Sequence, residues 1–189
     1  VNPETGYVYG KFYLAVCDST GHGVPGAFMS LLNINFLNEA INEKGIERPD
    51  DVFNFVRQRL IDNISKEGQK DGFDGILLCI ETLPSLMSEG PKITVTYAAA
   101  NNAPILIRKN SGAKAVEAPE LRELESDRMP VGIGERKESF TLYNLDLNKG
   151  DTLYLYTDGY ADQFGGPKGK KFKYKQLNEL LLSINSLTL

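Results

Sequence analysis

Asp18-Ser19-Thr20-Gly21-His22-Gly23-Val24-Pro25-Gly26-Ala27 is the stretch on which the reading of this chain turns. An apolar run, Phe12 to Cys17, leads into it, and a long helical pattern that begins near Pro25 leads out. One carboxylate, three glycines and the only histidine of the chain, His22, are packed together at a strand-to-helix junction. Such a junction exposes side chains and backbone groups at the edge of a rigid core, where chemistry is usually placed. A second stretch, Thr157-Asp158-Gly159, repeats the order of apolar run, aspartate and glycine.

Upstream, Tyr7 to Cys17 reads as a strand. Phe12, Leu14 and Val16 alternate with Tyr13, Ala15 and Cys17, so both faces are apolar and a central strand covered on both sides is expected. Downstream, Pro25 fits the first turn of a helix that runs to about Lys44, with Gly45 as its stop. Phe28, Leu31, Leu32, Phe36, Leu37, Ala40 and Ile41 predict a broad, deeply packed face on it. Pro49-Asp50 opens a second helix, with Asp50 or Asp51 as cap, a stripe of Val52, Phe53, Val56, Leu60, Ile61 and Ile64, and an end near Lys66-Glu67-Gly68.

After Gly72 the period changes. Phe73 to Glu81 is a buried strand, Pro84 to Pro91 a loop, and Ile93 to Tyr97 an alternating strand. Asn101-Asn102 with Pro104 turns the chain into Ile105 to Arg108, which Asn110-Ser111-Gly112 closes. Residues 113–139 predict irregular structure with one short strand at most. Phe140, Leu142, Leu145 and Leu147 suggest a strand, Asn148 to Asp151 a turn, Thr152 to Thr157 a strand, Gly165 to Gly169 a loop, and Lys175 to Ile184 a last helix. Sequential hairpin strands point to antiparallel sheets, and two apolar-striped helices must cover a sheet face, so a layered α/β (α+β) sandwich is predicted.

The 189 residues suit one domain, 1–189, of ordinary soluble composition, 41% hydrophobic and 24% charged. The net charge of −4 speaks against a nucleic-acid-binding surface and suits a cation-binding one. No apolar stretch is long enough for a membrane span. Cys17 and Cys79 lie inside apolar runs and read as small buried hydrophobes of a reducing compartment rather than as a disulfide.

Asp18 and Asp158 each end an apolar run, and Asp74 begins a third. If that third strand is antiparallel to the other two, all three carboxylates meet at one end of the sheets. Carboxylates crowded in this way raise one another's pKa unless a cation lies between them. Oxygen ligands suit Mg²⁺ or Mn²⁺, and the lack of a second histidine speaks against zinc. The plainer alternative is that Asp-Gly pairs are turns and that Asp18 caps the helix behind it. A nucleotide-binding glycine loop is disfavoured, because Gly21-His22-Gly23 lacks the Lys-Ser/Thr ending of a P-loop.

Residues 15–30, Ala-Val-Cys-Asp-Ser-Thr-Gly-His-Gly-Val-Pro-Gly-Ala-Phe-Met-Ser, resemble the first catalytic motif of the SpoIIE-like serine/threonine phosphatases, the bacterial branch of the metal-dependent, type 2C-like (PPM) phosphatases. Asp71-Gly72-Phe73-Asp74, Ala99 to Pro104, and Lys149-Gly150-Asp151 through Gln163 are similar to the later motifs of that family, in the same order. The resemblance implies a four-layer αββα sandwich and a two-metal Mn²⁺ or Mg²⁺ centre. It makes Asp18 the bridging ligand, the backbone carbonyl of Ser19 and the carboxylate of Asp158 further ligands, and Asp74 an accessory ligand. A metal-activated water would attack phosphoserine or phosphothreonine in line, with no phosphoenzyme.

The family's opening strand and its closing Asp-Asp pair find no counterpart in this chain, so an incomplete domain is expected. An alternative is therefore a degenerate, non-catalytic domain that binds a partner. His22 is a candidate general acid or metal-supporting residue, or else an ordinary loop histidine. Gly21, Gly23 and Asp162 are candidates to line the substrate cleft. The lysines 168, 170, 171, 173 and 175 are either a solvated loop or a patch that steers a phosphorylated partner. The implied partner is a phosphorylated regulatory protein such as an anti-sigma-factor antagonist. A bacterial cytoplasmic signalling protein with an N-terminal sensor domain is implied as the parent, with no membrane contact by this domain and a homodimer left open.

Overall fold

The computed structural model describes residues 10–64, 71–83, 92–108, 119–167 and 169–186. Strand β1 (Gly10–Ser19) pairs antiparallel with β2 (Gly72–Leu83) along its whole length, from Gly10 opposite Thr82 to Ser19 opposite Phe73. Strands β3 (Lys92–Ala100) and β7 (Tyr143–Leu145) extend this sheet beyond β2, and β6 (Val131–Gly132) joins the start of β2. A second sheet has the order β5-β4-β8, from Glu120–Glu123, Ile105–Arg108 and Thr152–Tyr154. A small hairpin joins β9 (Phe164–Gly165) to β10 (Lys170–Lys171). The helices are α1 (Gly23–Asn38), α2 (Pro49–Ile64) and α3 (Lys173–Ser186).

Three apolar clusters separate four layers, because side chains alternate across a strand. Phe73 and Leu77 of β2, with Ala98 and Ala100 of β3, face α1 and α2. Ile76 and Leu78, with Val95, Tyr97 and Ala99, point the other way and meet Leu153 and Leu155 from the second sheet. Ile105 and Ile107 of β4 turn their backs on that layer and pack on Leu177 and Leu181 of α3. The result is the predicted αββα sandwich with antiparallel sheets. Phe53 of α2 anchors the first cluster, fully buried, with Phe73 and Phe140 edge-on at 5.7 and 5.4 Å. Burying such a ring contributes about 1.5–3 kcal/mol, and each edge-on pair about 0.5–1.5 more.

Several expectations change. Among the described residues β1 is the edge of its sheet and not a central strand, and Phe12 is 59% and Leu14 43% exposed, because the described part of the second sheet does not reach over them. Its other face is covered, with Tyr13 and Cys17 packed against the helix-side cluster. Helix α1 is apolar all round, and only the side carrying Met29, Asn33, Phe36 and Leu37 is buried. Phe28 and Leu31, expected inside, are exposed together with Val24 and Ile34. The helix does continue to about Lys44, but Glu39–Glu43 form a π-helical turn in which the Lys44 N–H donates to the Glu39 carbonyl. Gly45 stops it with a left-handed φ of 62°.

Asp50 and Asp51 sit inside the first turn of α2, where they favour the helix dipole, instead of capping it. Phe140 packs on α2 rather than in a strand, and Asn54 Oδ1 accepts its N–H. Residues 113–139 hold two short strands, β5 and β6, among those described. Strand β8 ends at Tyr154, because its partner β4 begins at Ile105, directly after Pro104. The expected end of α2 near Lys66, the loop from Pro84 to Pro91, the turn at Asn110-Ser111-Gly112, the strand start at Tyr7 and Lys168 lie outside the described residues.

Candidate functional site

Asp18 and Asp74 are cross-strand partners in the β1–β2 register. Asp74 lies on the face of β2 that also carries Ile76 and Leu78, which is the face toward the second sheet. The two carboxylates thus stand at the mouth of the gap between the sheets, just beyond the last apolar side chains that fill it. Asp158 arrives from the opposite sheet. The chain leaves β8 at Tyr154, Leu155 packs between the sheets, Tyr156 packs toward α3, and Asp158 begins a turn in which the Asp162 N–H donates to the Asp158 carbonyl at 2.9 Å. The two tyrosines of this stretch, Tyr154 and Tyr156, serve as packing residues.

The three carboxylates sense one another. Burial pushes the Asp18 carboxyl up from its ordinary range, and a hydrogen bond with Asp158, the charge of Asp158 and the charge of Asp74 push it further. Burial also raises Asp74, against the opposing effect of Asn101, whose Nδ2 donates to Asp74 Oδ1 at 2.8 Å; the charge of Asp158 adds to the rise. Among the described residues no lysine or arginine is paired with any of the three. An acidic group held this close, with no cation of its own, is what a hard metal ion would relieve. The donors are all oxygens, with neither thiolate nor imidazole among them, which fits Mn²⁺ or Mg²⁺ and not zinc. Among the described residues, however, no three His, Cys, Asp or Glu side chains are already gathered into a group that could hold a metal ion.

The local backbone explains the placement. The Thr20 N–H donates to the Gly72 carbonyl at 2.9 Å, and the Gly72 N–H donates back to Thr20 Oγ1 at 3.0 Å, so the ends of β1 and β2 are locked together. Ser19 stays in the strand, and its Oγ accepts from Nδ2 of the buried Asn33 at 2.9 Å. Gly21 takes a φ of 94°, and a Cβ on Gly26 would lie 2.7 Å from the Gly21 carbonyl oxygen, so the turn is closed to larger residues at both places. Asp18 does not cap α1: it lies within β1, and His22 holds the cap position without a side-chain capping bond. The turn reading of Asp158-Gly159 is correct and coexists with its closeness to Asp18.

Not every candidate joins the group. His22 is exposed, and no hydrogen bond ties it to the carboxylates. Gly23, with a φ of 63°, starts α1. Asp162 turns toward the β9–β10 hairpin and pairs with Lys171 at 2.6 Å. Cys17, beside Asp18, is half-buried rather than buried, and Cys79 is buried; both are free thiols. Burial pushes the Cys17 thiol up to about 12, which leaves little thiolate. Asn101, Asn33 and Thr20 are the supporting residues that sequence reasoning missed. Counting the hairpin would have found Asn101: Gly75 pairs with Ala100, which sets Asn101 against Asp74.

Among the described residues no helix is long and apolar enough to cross a membrane. None of the curated protein sequences matches the chain. In three dimensions it is similar to the SiaA-PP2C domain of Pseudomonas aeruginosa, with a TM-score of 0.67 and 23% identity over 92% of this chain. The match takes in 65% of that domain, so this chain spans less than two thirds of the structure it resembles, and the likeness establishes the fold. The sequence model of the stage II sporulation protein E (SpoIIE) family matches residues 9–188, almost end to end, and the chain belongs to that family.

Proposed function

We propose that this chain is a metal-dependent protein phosphatase domain that hydrolyses phosphoserine or phosphothreonine in a signalling regulator. The observation that carries this reading is the meeting of Asp18, Asp74 and Asp158 at the gap between the sheets without a counter-charge. Asp18 and Asp158 would hold a cation, with the Ser19 carbonyl as a further oxygen donor and Asp74 as an accessory one. Asn101 fixes the Asp74 carboxylate so that one oxygen is directed by the hydrogen bond and the other is left to ligate. Mn²⁺ or Mg²⁺, when bound, supplies neutralisation of the phosphate oxygens and a lowered pKa for water.

The test is phosphate release from a phosphoserine peptide by the full chain with and without Mn²⁺. Turnover should require the metal, and Asp18→Asn and Asp158→Asn should each lower it by at least about a hundredfold, the upper range for groups that support a metal. Unchanged turnover in either variant would sink the mechanism. A second reading, a partner-binding module without catalysis, is favoured by one observation: the three carboxylates do not already form a metal-holding group. Calorimetry separates the two, since that module would bind no Mn²⁺ and release no phosphate.

A further inference from the structure

A cavity of about 800 Å³ lies between the β9–β10 hairpin and the start of α3. Lys170, Lys171, Lys173 and Lys175 line it, and no aspartate or glutamate does. Lys171 is held by Asp162, whereas Lys170, Lys173 and Lys175 have no ion-pair partner among the described residues. Its apolar floor is aromatic: Tyr160 and Phe172 meet edge-on at 5.5 Å, and Phe164 on the hairpin is 76% exposed. A chain of net charge −4 therefore concentrates unpaired cations around exposed aromatic rings at one place.

The cavity borders the turn that begins at Asp158, and backbone bonds tie its walls together. The Phe172 N–H donates to the Gln163 carbonyl at 2.9 Å, and the Lys173 N–H to the Ala161 carbonyl at 2.7 Å. Lys173 is thereby pinned at a φ of 72°, a conformation that residues with side chains seldom adopt. Strain kept by surrounding bonds is a mark of a positioned site. Tyr160 lines the cavity two residues after Asp158, within the same turn. On the far side Tyr174, between Lys173 and Lys175, lies near enough to Asp158 and Asp162 to feel both charges.

We propose that this cavity is the docking site for an acidic segment, with an apolar side chain for the aromatic floor, that flanks the phosphorylated residue of the protein substrate. The inference rests on the phosphatase reading of the adjoining carboxylates. Tyr160 links the two places, so a segment that flanks the phosphoserine can run along the Asp158 turn into the cavity. An acidic site on an acidic protein repels a phosphoprotein at long range, and the lysines reverse that field locally. The segment supplies affinity and orientation, and takes no part in the chemistry.

The experiment compares two phosphoserine peptides on the full chain with Mn²⁺, one flanked by glutamates and a phenylalanine, the other by lysines and a phenylalanine. The wild type should favour the acidic peptide in kcat/KM. Lys170→Glu combined with Lys175→Glu should reduce that preference on the order of tenfold, mainly through KM, and added salt should shrink it as well. A wild type that uses both peptides equally, or a preference that survives the double charge reversal, overturns the proposal. Fluorescence anisotropy of the unphosphorylated acidic peptide, measured without metal, separates docking from catalysis. If neither peptide is hydrolysed but the acidic one binds and the double variant loses it, the docking site stands and the phosphatase reading falls. If the acidic peptide does not bind, docking falls.

Discussion

The two sheets present their carboxylates in different ways. Asp18 and Asp74 are members of a ladder that runs unbroken from Gly10 to Ser19, and the Thr20–Gly72 bonds lock its end. Asp158 has no such support. Its strand ends four residues earlier, and among the described residues one backbone turn bond, from the Asp162 N–H, holds it. One half of the site lies in a paired ladder, and the other half lies in a turn beyond a strand end. The group is close enough for Asp158 to push the Asp18 carboxyl up, yet among the described residues it is not gathered around a point.

Lengthening each carboxylate by one methylene breaks this comparison most directly. Asp18→Glu pushes its carboxylate out of a position the ladder cannot yield, and Mn²⁺-dependent turnover should fall by about a hundredfold, since small misplacements of a positioned group carry losses of that size. Asp158→Glu should cost less, within about tenfold, because the turn can retract. Steady-state kinetics at saturating Mn²⁺ reads both. Equal losses would mean that Asp158 is as rigid as Asp18 and would remove the distinction between the two halves.

Stability sharpens the same comparison with a smaller effect. The folded-state pKa values of Asp18 and Asp74 are raised above their ordinary 3.8. A carboxyl whose folded pKa is raised contributes stability that is present below the unfolded value and is lost as pH rises through the folded one. The metal-free protein should therefore lose stability as pH climbs from about 3.8 through those raised values. Above that window Mn²⁺ should raise the melting temperature by binding the folded state alone. Asp18→Asn should melt higher than the wild type without metal at pH 7, by a few degrees for each kcal/mol of repulsion removed, about 2–4 °C in a chain of this size. It should also gain less from Mn²⁺. A metal-free Asp18→Asn that melts lower than the wild type would show that the carboxylates do not repel in the fold.

Much of this arrangement is legible in the order of residues alone. Asp18 follows an apolar run and Asp74 precedes one, so antiparallel pairing of the two runs brings them together, as the register does. The layers follow from the alternation along β2 and β3, where each face has its own apolar set. Legibility stops where one pattern has two solutions. On α1 the exposed series Val24, Phe28, Leu31 and Ile34 has the same helical spacing as the buried Met29, Phe36 and Leu37, and only the position of β1 and α2 chooses between them. On β1 both faces are apolar, and burial depends on whether the opposite sheet reaches that far. Asn101 reads as turn chemistry, since Asn-Asn with a following proline is a turn signal, and its bond to Asp74 emerges only once the hairpin register is counted.

His22 separates what lies near the site in sequence from what lies near it in space. It is four residues from Asp18, but the Gly21 turn carries it outward to the cap of α1, where it is exposed and has no capping bond. An acid that protonates a leaving alcohol must come within hydrogen-bond reach of that oxygen in the bound complex. His22→Ala should therefore leave turnover within about threefold of the wild type, the smallest change expected of any residue in the stretch, and should leave the pH profile of kcat unaltered. A loss of about a hundredfold in kcat, together with disappearance of the limb that falls near the histidine range, would assign the proton transfer to His22. It would also mean that the Gly21–Gly23 turn swings inward when substrate binds, which would bring the start of α1 into the site.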